Sequence, residues 1–255
     1  MAESPYSGKP ESDWLSITEE LIIAHPLNRC VLLDAALCAW DMLWQTTLGA
    51  GSIAVRLSDL RVPASVVGYF FEVLLARDLE RREPAVWHGN QSKNEKDLVY
   101  EPSPGFSIEI KTSGQCGYKV YGNRSYGQKS VDDLGIKKEK SGYYITVNFY
   151  ERTLTLIRFG WIDADDWDAQ EAPTGQMSGL RKAVYDYKLI PLPGSYRQRA
   201  PVSLLDGVGP ATASQFSAIG IHTIADLLSF PGELPSRLAR IREKNQKLLS
   251  GCHDV

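Results

Sequence analysis

A chain of 255 residues suffices for one large domain, or for a medium domain joined to a small one. Hydrophobic residues make up 43% and charged residues 23%, an ordinary globular composition, and no apolar run is long enough to span a bilayer. The net charge of −3 excludes a strongly basic DNA-coating protein, so any nucleic-acid contact must rest on local positive charge. The polar, acidic start, MAESPYSGKPESDW, has no secretory pattern, and residues 1–12 read as a loose tail. The scattered Cys30, Cys38, Cys116 and Cys252 suggest neither a zinc site nor a disulfide framework, which fits a cytoplasmic protein. Apolar spacing predicts helices over WLSITEELIIAHPL and CVLLDAALCAWDMLWQTTLGAG, the second ending at Gly49 and Gly51. RVPASVVGYFFEVLLARDLERREP predicts a long helix capped by Ser65 and stopped by Pro84, with Glu72 embedded among its apolar residues. Strands follow: AVWHG, KDLVYEP, FSIEIKT, then GYYITVNFY paired with LTLIRFGWI across the turn ERT. The acidic stretch Asp163, Asp165, Asp166 and Asp168 reads as a solvated helix start, and LIPLPGSYRQRAP, with its three prolines, as a linker. Helices first and strands after give an α/β (α+β) class with a mixed sheet flanked by helices.

Within FSIEIKT, Phe106, Ile108 and Ile110 alternate with Ser107, Glu109 and Lys111, so Glu109 and Lys111 point off the same face of a strand. Asp97 opens the preceding strand, and the short EPSPG connection permits a hairpin that brings Asp97 beside Glu109. Glu72, on the helix before the sheet, adds a third carboxylate. Carboxylates suit Mg²⁺, which takes hard oxygen ligands and lowers the pKa of a bound water. A neighbouring lysine can position that water and steady a phosphate. The bland reading is a set of charges on a solvated strand face.

The stretch KTSGQCGYKVYGNRSYGQKS, residues 111–130, carries Lys111, Lys119, Arg124 and Lys129 and no acid. Tyr118, Tyr121 and Tyr126 are interleaved with Asn123, Ser125 and Gln128. Positive charge meets phosphates, while Asn, Arg, Gln and Tyr reach base edges. A loop leaving a strand end is where sites are built. Further on, VSLLDGVGPATASQFSAIGIHTIADLLSF has Gly207-Val208-Gly209 at a tight turn, Pro210 opening a helix, Gly220 ending it and Thr223 capping the next. This pattern reads as a helix-hairpin-helix that grips DNA backbone, with Gly207, Val208, Gly209 and Thr212 as the expected contacts. A degenerate second copy turns at Phe230-Pro231-Gly232 and ends in a basic helix bearing Arg237, Arg240, Arg242, Lys244 and Lys247.

Asp97, Glu109 and Lys111 resemble the Asp…Glu-x-Lys pattern of the PD-(D/E)XK nuclease superfamily, with Lys96 where a proline precedes the Asp. EIKTSG, YGNRSYGQ and KSGYYITVNFY together resemble the ScaI-type restriction endonucleases, over roughly residues 60–170. The resemblance implies that Asp97 and Glu109 bind Mg²⁺ and that Lys111 serves the water. Glu72 would match the helix glutamate of many superfamily members, as a further catalytic and metal-binding residue. Asn123, Arg124, Ser125 and Tyr126 would lie near the DNA. It also implies a restriction-endonuclease-like core over residues 1–195, a small all-α helix-hairpin-helix domain over 200–255, and sequence-specific double-strand cleavage of DNA. A homodimer on a palindromic site and a cognate DNA methyltransferase on the same site in the host would go with it. Two other readings stay open. One is a structure-specific repair nuclease, whose Glu-Arg-Lys and later Asp are missing here. The other is a non-catalytic DNA-binding protein on a nuclease fold.

Overall fold

Three helices lead the chain, as the apolar spacing predicts: α1 (Glu11–Ala24), α2 (Arg29–Gln45) and α3 (Ala64–Arg82). The computed structural model describes residues 4–115, 117–123, 139–169, 177–205 and 207–246, the side chain of Gln246 excepted. Asn28 caps α2 through its side-chain oxygen, which accepts from the Cys30 N–H. That helix stops at Gln45, short of the glycines, because Thr47–Leu48 (β1) turns back to pair with Val55–Arg56 (β2). Ser65 does not cap α3: Pro63 is the N-cap residue and Ser65 lies inside the first turn. Residues 4–8 are not a loose tail. Tyr6 is buried, its hydroxyl 2.8 Å from Thr18 Oγ1. Cys38 is free, and Cys116 and Cys252 lie outside the described residues. Among the described residues no single helix is long and apolar enough to cross a membrane.

The strands that follow are β3 (Trp87–Gly89), β4 (Leu98–Tyr100), β5 (Ile108–Ser113), β6 (Tyr121–Asn123), β7 (Gly142–Tyr150) and β8 (Thr153–Ile162). After them come β9 (Trp167–Ala169), β10 (Met177–Leu180) and β11 (Leu189–Pro191). The main sheet has six strands in the order β11-β8-β7-β5-β4-β3, and β6-β10-β9 forms a smaller one. Only β5 and β7 run parallel in the main sheet; its other pairs are antiparallel, including β7 and β8 across the turn after Tyr150. Phe106 belongs to a 3₁₀ turn before β5 rather than to the strand.

The pleat sorts this sheet into two unlike faces. Ile108 and Ile110 of β5 align with Tyr143 and Ile145 of β7, and Ile145 with Phe159 of β8. These residues form one core with Leu32 and Leu43 of α2 and with Phe71 and Leu75 of α3. Each such side chain taken fully from water stabilises the fold by about 1.5–3 kcal/mol. The opposite face is polar. Glu109, Lys111 and Ser113 align with Tyr144, Thr146 and Asn148, and Thr146 in turn with Arg158.

Two stretches depart from expectation. The acidic run is no solvated helix start: Asp166 is fully buried, and Asp163 and Asp166 each lie 2.8 Å from the buried ammonium of Lys188. Asp166 also pairs with Arg181 at 2.5 Å. The proline-rich stretch is no free linker, since β11 pairs with β8 and Leu192, Arg197 and Ala200 are buried. Beyond it a second apolar core gathers Phe216, Ile224, Leu227 and Leu238. Its helices are α4 (Pro210–Ala218), α5 (Ile224–Ser229) and α6 (Ser236–Gln246). Pro210 is the first residue of α4, Gly220 follows it at φ +78°, and Thr223 forms a reciprocal cap with Asp226.

Candidate active site

The polar face of β5 holds the acidic pair. Glu109 is 2% exposed and Asp97 is 7% exposed, which rules out the solvated strand face. Antiparallel pairing at Leu98 and Ile108 sets the register, and the residues beside them, Asp97 and Glu109, therefore share a face. Asp97 Oδ2 accepts the Ile110 backbone N–H at 2.8 Å, so its carboxylate takes the place of a ladder partner where the two strands part. Lys111 Nζ lies 2.6 Å from Glu109 Oε1 and 3.9 Å from Asp97 Oδ2, and it also donates to the Ile110 carbonyl at 3.1 Å. Sequence spacing anticipated this trio, and the structure brings it together.

Glu72 sits half-buried on α3, one turn after Gly68. That glycine marks where the helix meets β5: a Cβ on Gly68 would stand 2.1 Å from Thr112 Oγ1. Among the described residues no group of three or more His, Cys, Asp or Glu is arranged to hold a metal ion. The donor chemistry of the pair nonetheless fits Mg²⁺, which commonly takes one or two carboxylates and completes its shell with water.

Of the expected DNA contacts, Lys119 and Asn123 are exposed and Tyr121 is half-buried; the last two lie on β6. Arg124, Ser125, Tyr126, Gln128 and Lys129 lie outside the described residues. In the hairpin, Gly207 has φ +86° and Gly209 is exposed, with Val208 half-buried between them. Thr212 is 1% exposed, so its side chain packs inside the hairpin and does not face a DNA backbone.

Sequence reasoning missed a set of residues behind the loop. Arg158, 2% exposed, bonds through Nε to Thr146 Oγ1 at 3.0 Å. Its Nη2 reaches Asn148 Oδ1 at 2.8 Å and the Tyr118 carbonyl at 2.5 Å. Asn148 Nδ2 donates to the Lys119 carbonyl at 2.9 Å, and the Tyr185 hydroxyl lies 3.1 Å from the Val120 N–H. The base of the loop is thereby fixed to the strand beside the carboxylates. The one signal was an arginine in the middle of the apolar strand LTLIRFGWI.

The chain is 35% identical over 198 residues to the Type II restriction enzyme ScaI of Streptomyces caespitosus, an alignment that covers 74% of this chain and 84% of that protein. No solved structure matches. The sequence model of one family, ScaI restriction endonuclease, matches residues 4–193, a span that takes in the three helices, the main sheet and the acidic pair. The chain belongs to the ScaI restriction endonuclease family.

Proposed function

We propose that this protein is a Type II restriction endonuclease that makes sequence-specific double-strand breaks in DNA by hydrolysing phosphodiester bonds. The observation that supports it best is the buried pair Asp97 and Glu109 with the Lys111 ammonium between them, within the span that matches the family. Family membership favours this reading over a structure-specific repair nuclease and over a non-catalytic DNA-binding protein.

Asp97 and Glu109 would hold Mg²⁺, with Glu72 in support. When bound, the ion supplies Lewis acidity and a water of lowered pKa. Lys111 places a positive charge 2.6 Å from Glu109, where it orients the attacking water and offsets charge gathering on the phosphate. Asp97 is itself held by the Ile110 N–H, so the carboxylate is fixed before DNA arrives. Lys119, Tyr121, Asn123 and the residues from Arg124 to Lys129 read the DNA, and the turn Gly207-Val208-Gly209 grips its backbone. A cytoplasmic homodimer, facing a palindromic site that a cognate methyltransferase also modifies, completes the reading.

The test is digestion of plasmid and genome-sized DNA with Mg²⁺ and with EDTA. Discrete fragments with Mg²⁺ and none with EDTA are expected. A smear, a preference for branched DNA, or intact genomic DNA would overturn the proposal.

A further inference from the structure

The polar face does not end at the carboxylates. Two strands away, a cleft of about 710 Å³ opens between the sheet and the C-terminal helices. Arg158, Lys182 and Arg197 line it on the core side, and the turn Gly207-Val208-Gly209 lines it opposite. The family match stops at residue 193, so this wall is built by the part of the chain that lies beyond it.

Arg197 is 5% exposed. Its Nε donates to the Thr155 carbonyl at 2.7 Å, and its Nη1 is out of solvent with no hydrogen-bond partner. Arg158 is satisfied by uncharged groups alone: Thr146, Asn148, the Tyr118 carbonyl and the ring of Tyr185, 4.9 Å from its guanidinium carbon. Among the described residues neither guanidinium pairs with a carboxylate. Asp186 also lines the cleft, but Lys182 holds it. A buried guanidinium without a counter-charge is costly, and a donor left unmade adds to the cost. Burial, with the neighbouring Arg197 charge added to it, pulls the pKa of Arg158 down to about 10, and burial lowers that of Arg197. An entering anion relieves both costs, and a tetrahedral oxyanion suits forked guanidinium donors. The opposite wall suits the same ligand. Gly207 turns at φ +86° and, with the exposed Gly209, lets backbone come close to a ligand just before α4 begins at Pro210.

We propose that this cleft is a phosphate-binding site shared by the nuclease core and the C-terminal hairpin, with Arg197 and Arg158 as its anchors. The phosphate comes from a DNA backbone or from a free phosphate. Only the first source rests on the endonuclease reading. The experiment uses the full chain without Mg²⁺ in two arms. In the first, the unfolding midpoint is measured in inorganic phosphate and in chloride of equal ionic strength. Phosphate should raise the midpoint by several degrees in the wild type and by less in Arg197→Gln. A general salting effect would move both proteins equally and would overturn the site. In the second arm, duplex affinity is measured against salt for wild type, Arg197→Gln and Lys182→Gln. Lys182 has a side chain 80% exposed, so its variant keeps the fold should Arg197→Gln lose it. Each variant should bind about tenfold more weakly and lose about one unit of salt slope. A response to phosphate without any change in the duplex arm assigns the cleft to a free phosphate. No difference between wild type and both variants in either arm would overturn the proposal. DNA cleavage, assayed separately, fails or succeeds independently of the phosphate arm.

Discussion

Lys111 carries the sharpest prediction. Its ammonium lies within 4 Å of both carboxylates, at 2.6 and 3.9 Å. Lys111→Ala should still bind DNA in a gel-shift assay, while its cleavage rate falls by at least about 10²-fold, the lower end for a positioned proton-handling group. Wild-type cutting by that variant would remove Lys111 from the mechanism. His25 makes a different kind of prediction, about stability. It is buried among Trp87, Phe106, Tyr143 and Phe159. Its Nδ1 accepts the Leu27 N–H, so the ring is neutral and Nε2–H donates to the Phe106 carbonyl. Burial pushes its pKa down from 6.5 to about 4. Between those values the unfolded chain binds a proton that the folded chain refuses, so stability falls as pH drops through that window. The full shift is worth about 3 kcal/mol. Urea midpoints measured from pH 7 to pH 4 should decline, and in His25→Phe the decline should be shallower. Parallel pH profiles for the two proteins would show that other groups set the slope.

At the scale of elements, the crossing of α3 over β5 decides whether the trio keeps its shape. Gly68 is there because nothing larger fits against Thr112, the residue after Lys111. Gly68→Ala should destabilise the protein by about 1–3 kcal/mol, as overpacking does. The double variant Gly68→Ala, Thr112→Ala should recover most of the loss, because the two residues touch and their effects are coupled. Thermal or urea unfolding of the three variants checks this, and simple additivity would mean that the contact is not the cause. The strand itself was legible from its period of two, and the pairing of Asp97 with Glu109 from a connection short enough for a hairpin. Other elements were hidden because their partners are distant in sequence. The three prolines after Leu189 suggest a linker, yet Pro191 lies on the edge strand β11, where a missing N–H costs no ladder bond. Asp163 and Asp166 look solvated until Lys188, on a separate turn, is folded against them. Arg158 was hidden for the same reason, since its bonds run to Tyr118, Thr146 and Asn148 on other strands and loops.

For the whole molecule the question is how an acidic protein holds a polyanion. The net charge of −3 gives no general attraction, so affinity has to come from local surfaces. The helix α6 offers one. Leu238 and Ile241 turn inward to the second core, while Arg237, Arg240 and Lys244 are exposed on the other side. This helix lies beyond the span shared with the family, so its contribution should be separable from recognition of a site. Replacing Arg237, Arg240 and Lys244 together by Gln leaves the apolar face of the helix intact and should leave folding unchanged. If the three cations meet phosphates, the salt slope of DNA binding should fall by up to about three units, near 0.9 per contact. Binding should weaken alike for DNA with and without the recognition sequence, because backbone contacts carry no sequence information. The fragment pattern should be the same as that of the wild type, reached only at higher enzyme concentration. An unchanged slope would mean that α6 faces away from DNA and that the hairpins serve to pack the C-terminal core. A changed fragment pattern would mean that this helix takes part in reading the site, beyond the backbone contacts expected of its exposed cations.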